Sequence, residues 1–185
     1  MSKYAALFRN LNLGRRHCPD KALFEQAFAE AGAQRPASFQ VNGSLVFEAR
    51  GDAAARRIVA GARERLHAAC GLAEPAFLRR VEALRALVDA QPFAGLDPAD
   101  EIYDRCICFL SQATPPPDPA TLPWRSPRGD AEIIAYSAAA HAALGLSRKL
   151  GASPGSPNAL LERRLGAPST MRNWGTLNRL VDRHG

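Results

Sequence analysis

Apolar and polar positions alternate from Tyr4 to Leu13, with Tyr4, Ala6 and Phe8 on one face and Ala5 and Leu7 on the other. That period of two predicts an opening strand. Gly14–His17 forms a basic turn, and Pro19 with Asp20 then opens a predicted helix. In it Leu23, Phe24, Ala27, Phe28 and Ala31 recur at spacings of three and four, and Gly32 closes it. Pro36–Val41 and Leu45–Ala49 read as paired strands around Asn42-Gly43-Ser44, because Asn-Gly favours a tight hairpin. Asp52 is placed to cap a long helix reaching Cys70, with Ile58, Val59, Ala62, Leu66 and Ala69 on its apolar face and Gly71 at its end. A short strand, Ala76–Arg79, and a helix, Val81–Ala90, bring the chain to Pro92.

The second half starts with a loop-like stretch, Ala94–Glu101, and an apolar strand, Tyr103–Leu110. Pro115–Pro117 and Pro119 interrupt regular structure, apart from a short helix that proline could start. Trp124–Ser126 and Glu132–Tyr136 suggest a second hairpin, turning at Arg128-Gly129-Asp130. Ala138–Leu150 is Ala-rich and reads as helix, and Gly151–Pro157 is linker-like. Asn158 can cap a helix through Leu165, Gly166 ends it, and Ser169 or Thr170 can start a last helix.

Strand, helix, strand, strand, helix, strand is the split βαβ order of a ferredoxin-like unit, with helices covering one face of an antiparallel sheet. The chain thus reads as α+β: two ferredoxin-like halves, residues 1–93 and 94–185, with antiparallel sheets and a helical C-terminus. No strict sequence repeat is visible, so the second half rests on element order alone.

Composition narrows the function classes. Hydrophobic residues make up 46% and charged residues 23%, the balance of a folded globular protein. Charges interrupt every apolar run, so no membrane span is expected, and Met1–Asn10 lacks the apolar core of a secretory signal. A cytoplasmic location follows as the expectation. Cys18 and Cys70 are isolated, while Cys106 and Cys108 share one strand face. They read as buried thiols, since no second Cys or His pair completes a metal set. The net charge of +6 is polarised. Residues 1–21 carry +4, residues 145–185 carry +5, and the stretch between them is left with −3.

The run from Asn158 to Leu177 contains Leu165-Gly166 and Thr170-Met171-Arg172-Asn173-Trp174 followed by Thr176, and it resembles the domain of unknown function 1697 (DUF1697) family. Tyr4–Gly14 is similar to that family's opening strand and glycine-containing motif, with Asn10 and Arg15 in place of its first and last glycines. Phe39–Phe47 resembles its central hairpin, Asn42-Gly43-Ser44 standing where Ser-Gly-Asn is usual. Ser147–Leu150 resembles a further motif only loosely. The resemblance implies two ferredoxin-like halves among uncharacterised bacterial proteins, and it implies no activity.

Two clusters carry candidate ligand chemistry. Arg9, Asn12 and Gly14 lie where the first strand leaves the sheet, followed by Arg15, Arg16 and His17; glycine lets backbone amides approach an anion and the basic residues stabilise it. No Walker ending follows, and a solvated turn is the plainer reading. Arg172, Asn173 and Trp174 combine a guanidinium fork, an amide and a stacking ring, although a tryptophan in a terminal helix is more often a core anchor. His17, His67, His141 and His184 have no catalytic partner at a recognised spacing, and Asp97, Asp100, Glu101 and Asp104 lack calcium-loop spacing. The sequence therefore points to a binding protein needing no cofactor or metal, whose basic ends meet to recognise nucleic acid or a phosphate-bearing ligand. An enzyme with a cleft between the halves, orienting an anionic substrate through Arg9 and Arg172, and a homodimer joined through its sheets are the alternatives.

Overall fold

The structure, a computed structural model, describes residues 1–97 and 99–185. The loop expected over Ala94–Glu101 therefore lies partly outside the described residues, at position 98. The chain divides into two compact units, Met1–Glu82 with Arg183–Gly185, and Ala83–Asp182. Both are antiparallel sheets carrying helices, the α+β class expected.

In the first unit the elements run β1 (Ser2–Phe8), α1 (Lys21–Glu30), β2 (Gln34–Phe39), β3 (Ser44–Ala49), α2 (Asp52–Cys70) and β4 (Ala76–Arg80). The sheet order is β2-β3-β1-β4, all neighbours antiparallel, as a split βαβ unit requires. Tyr4, Ala6 and Phe8 point into the same core as Phe24 and Phe28 of α1 and Phe47 of β3. There the rings of Phe8, Phe24 and Phe28 meet edge to face at 5.3–6.2 Å. Asp20 caps α1 through Leu23 N at 2.8 Å.

β1 stops at Phe8, five residues before the sequence pattern does. Asn10 takes a left-handed conformation (φ 49°), which turns the chain out of the sheet, and Leu11 then tucks under the β2–β3 turn. Gly43 makes that possible, because a Cβ there would lie 2.6 Å from Leu11 Cβ. Asp52 does not cap α2 either. The N-cap is Gly51, without a side-chain bond, and the Asp52 carboxylate turns instead to Tyr4 and Arg80.

The second unit contains α3 (Val81–Asp89, shared at its start with the first), β5 (Asp104–Leu110), β6 (Trp124–Arg125), β7 (Ala131–Ser137), β8 (Ala142–Ser147), α4 (Pro157–Leu165), β9 (Ser169–Asn173) and α5 (Trp174–His184, shared at its end with the first). Its sheet order is β6-β7-β8-β5-β9. Without the edge strand β6 this repeats the first sheet's arrangement. The helix that should follow β5 is replaced by the proline-rich segment, which manages only a 3-10 turn at Pro119–Thr121.

Four expectations fail here. Ala138–Leu150 is not a helix but a turn followed by β8, every residue of which is buried. Ala and Leu favour a helix in isolation, yet pairing with both β5 and β7 satisfies this backbone in the sheet centre. The hairpin equivalent to β2–β3 is consequently β7–β8, and β6 is an addition to its edge. Ser169 and Thr170 open a strand along the β5 edge rather than a helix, so α5 begins only at Trp174. Gly151–Pro157 is no domain linker. Gly155 packs on the Asp130 backbone, where a Cβ would lie 2.1 Å from the carbonyl oxygen, and its N–H donates to Arg148 O. Ser156, not Asn158, caps α4, accepting from Ala159 N at 3.2 Å. Asn158 joins α4 to β9 instead, its Oδ1 accepting from Ser169 Oγ at 2.7 Å.

Candidate anion-binding loop at the end of the first strand

The chain leaves β1 as a loop pinned at both ends. Arg9 N donates to Pro75 O, Leu13 N to Val41 O, and Gly14 N to Pro19 O. Gly14 sits at φ 78°, open on the side where a Cβ would point, so its role is to close the turn that presents Arg15, Arg16 and His17. All three are exposed, as are Asn10 and Asn12. Arg15 and Arg16 form no ion pair with any described residue.

Arg9 is half-buried and faces inward. Its Nη1 meets Glu74 Oε2 at 3.3 Å, and Asn10 Nδ2 donates to Glu74 Oε1 at 3.2 Å. The two bonds hold both oxygens of that carboxylate. An open groove of about 460 Å³ lies alongside, lined by Asn10, Arg16, His17, Cys18, Leu72 and Glu74, among others. Arg9, Asn12 and Gly14 therefore share one loop. Arg9 serves it by neutralising Glu74, while Asn12 and the following basic turn face water.

The C-terminal trio is spread over a strand-to-helix junction. Arg172 is 6% exposed, its Nη1 donating to Thr170 Oγ1 at 3.0 Å and Met171 O at 2.8 Å. Burial disfavours the charged form and pulls its pKa down to about 10. Asn173 is exposed at the end of β9, and Trp174 packs edge to face on Phe93 at 5.3 Å. Among these residues Asn173 is the one presented to water.

Several other charged side chains are engaged internally. Arg148 forks onto Asp100 at 3.2 and 2.7 Å and reaches buried Glu132 at 3.0 Å, and the Asp100 bonds raise its pKa. Arg125 closes the network on Glu132 at 3.0 Å. Arg164 lies over the Trp124 ring at 5.6 Å. Tyr4 Oη donates to Asp52 at 2.8 Å, Arg80 Nε meets the same oxygen at 2.9 Å, and the Arg80 bond draws the Asp52 carboxyl below the usual carboxylate range. That cluster latches β1, α2 and β4 together. The thiols of Cys106 and Cys108 are buried and free; burial pushes the first up to about 12 and the second well above its ordinary value.

His141 has a structural role. Its ring bonds Tyr136 Oη through Nδ1 and Ser111 O at 2.7 Å through Nε2, so that Nε2 donates and Nδ1 accepts. Glu74, by contrast, is a partner of Arg9 that no sequence signal marks, since it lies 65 positions away.

A family model described as protein of unknown function (DUF1697) matches residues 1–138. The Asn158–Leu177 segment, which carries the sequence resemblance most specifically, lies beyond that span. Among solved structures, a conserved bacterial protein from Streptococcus pneumoniae is similar, with a TM-score of 0.64 and 15% identity over 98% of this chain and 97% of that one. That likeness concerns the fold. No curated protein matches.

Proposed function

Since the chain belongs to the DUF1697 family, whose description assigns no activity, we propose its role from the loop itself. It is a non-catalytic binding protein that recognises an anionic partner, nucleic acid or a phosphorylated small molecule, through the basic turn after β1. One observation carries this reading. The carboxylate in the groove, Glu74, is already held by Arg9 and Asn10, so the neighbouring Arg15 and Arg16 face water without a counter-charge. Asn12 supplies a side-chain amide beside them, and Gly14, its N–H held by Pro19 O, shapes the turn that presents them. Arg9 acts as a positioning residue, and in the second unit Asn173 is the member of the C-terminal trio placed to touch a ligand.

The protein is assigned to the cytoplasm. No helix among the described residues is long and apolar enough to cross a membrane, and four free cysteines, two of them fully enclosed, suit a reducing compartment.

Fluorescence anisotropy with a labelled single-stranded oligonucleotide and with a labelled nucleotide tests the reading. Binding should weaken steeply with salt, and an Arg15→Gln/Arg16→Gln variant should lose roughly tenfold or more in affinity. Absence of binding by both probes at low salt, or affinity unchanged in the double variant, overturns it.

A further inference from the structure

The sheet of the first unit has another cleft at its opposite end, where β3 runs into α2. About 530 Å³ in volume, it lies between the close of α1, the start of β2 and the first two turns of α2. Its walls include Gln34, Ala49, Arg50, Ala54, Arg57 and Ile58. Its size falls in the range of small-molecule sites.

Charge separates this cleft from the others. The groove after β1 contains Glu74 beside Arg16, and the cleft along α4 contains Asp130 beside Arg128 and Arg163. Here the charged side chains of the lining are those of Arg50 and Arg57, and Met1 also borders the cleft. Elsewhere in the same unit Arg9, Arg35, Arg65 and Arg80 each meet a carboxylate, from Glu74, Glu48, Glu30 and Asp52 respectively. Arg50 and Arg57 form no ion pair with any described residue. Glu48 and Asp52, the acidic residues nearest to Arg50 in sequence, are drawn off, the first by Arg35 at 3.3 Å and the second by Tyr4 and Arg80 at 2.8 and 2.9 Å. Two guanidiniums thus line one concavity that no side chain neutralises, which focuses a positive field into it.

The remaining walls define the ligand further. Gln34 offers an amide, and Ala49, Ala54 and Ile58 form an apolar floor. Guanidinium forks match the oxygens of a phosphate, and two of them balance a dianion. We propose that this cleft binds the phosphate group of a small phosphomonoester whose adjoining apolar part rests on Ala49 and Ile58, with Arg50 and Arg57 as the clamp. The site is independent of the loop after β1, from which it is separated by the length of the sheet.

Titration of the full chain with phenyl phosphate and with inorganic phosphate, followed by NMR of the arginine Nε–H groups and backbone amides, tests this. Saturable shifts are expected at Arg50, Arg57 and Ala54, with phenyl phosphate the tighter probe. Arg50→Gln or Arg57→Gln should each weaken binding about tenfold, while Arg15→Gln/Arg16→Gln leaves it unchanged and so separates this site from the loop. Because both arginines are exposed, amide spectra of the variants should otherwise match the parent. Non-saturating shifts, or shifts at Ala54 that persist in the Arg50→Gln/Arg57→Gln double variant, overturn the proposal. So does a single-stranded oligonucleotide that binds here when phenyl phosphate does not, an outcome that assigns the cleft to a polymer.

Discussion

Replacing Arg148 by Met tests whether the basic C-terminal segment is spent on internal pairing. The change removes the fork onto Asp100, at 3.2 and 2.7 Å, and the 3.0 Å bond to Glu132. Asp100 is one-third exposed and regains water readily, so its loss is discounted. Glu132 is only 6% exposed at its side chain and keeps Arg125 alone, which is itself 69% exposed. Breaking a buried pair from one side costs about 3–5 kcal/mol, and the partial exposure of the other members brings the expectation to about 2–4 kcal/mol. At about 4–8 °C per kcal/mol for a domain of this size, the second unit should melt roughly 10–25 °C lower. Both tryptophans, Trp124 and Trp174, lie in that unit, so denaturant unfolding followed by tryptophan fluorescence reads it directly. A Glu132→Gln/Arg148→Met double variant should recover part of the loss, since no unpaired charge is then left buried. A loss below about 1 kcal/mol in Arg148→Met, or a double variant as unstable as the summed singles, refutes the reasoning.

Gly155→Ala should destabilise the same unit by about 3 kcal/mol, because its Cβ meets backbone at 2.1 Å; Gly166→Ala, left-handed but in open space, should cost only about 1 kcal/mol, and chemical denaturation ranks the two. Phe28→Ala removes a ring that touches Phe8, Phe24 and Phe47 and should cost about 3–5 kcal/mol by the same measurement. His184, packed edge to face on Phe39 and near Lys3 and Arg183, has its pKa lowered from 6.5, chiefly by burial. The unfolded chain then binds the proton more readily, so this contribution to stability is complete above pH 6.5 and is lost as pH falls through the folded value. NMR titration of the imidazole should show the lowered midpoint, and a midpoint at or above 6.5 contradicts the packing.

Half of this fold is legible in the sequence because its signals are local. In the first unit the period of two in β1, the three-four spacing in α1 and α2, and Asn42-Gly43 each name an element without reference to any other. β8 and β9 fail for the opposite reason. Ala142–Ser147 suits a helix by composition, and only its two neighbouring strands decide otherwise. The candidate site divides in the same way. The basic turn after Gly14 is visible as a run of residues, but the neutralisation of Glu74 joins positions 65 apart. Charge averaged over a long stretch misleads as well. A middle segment of −3 conceals Arg50, Arg56, Arg57 and Arg63, all exposed around the start and outer side of α2.

The inward turn of Arg172 has a counterpart that the bare sequence does not reveal. When the two sheets are matched strand for strand, β4 corresponds to β9, and each runs into its helix without a loop. Arg79 then stands at the position of Arg172, followed by Leu84, Leu87 and Val88 where the second unit has Leu177, Leu180 and Val181. All eight are buried. Each arginine also donates from Nη1 to the carbonyl of the residue before it, Leu78 at 2.7 Å and Met171 at 2.8 Å. A guanidinium that recurs with the same burial, the same bond and the same apolar followers is explained by what the position demands: a donor for a carbonyl group on a strand at the sheet edge. The units differ one residue later: Arg80 is taken up by Asp52, whereas Asn173 stays exposed.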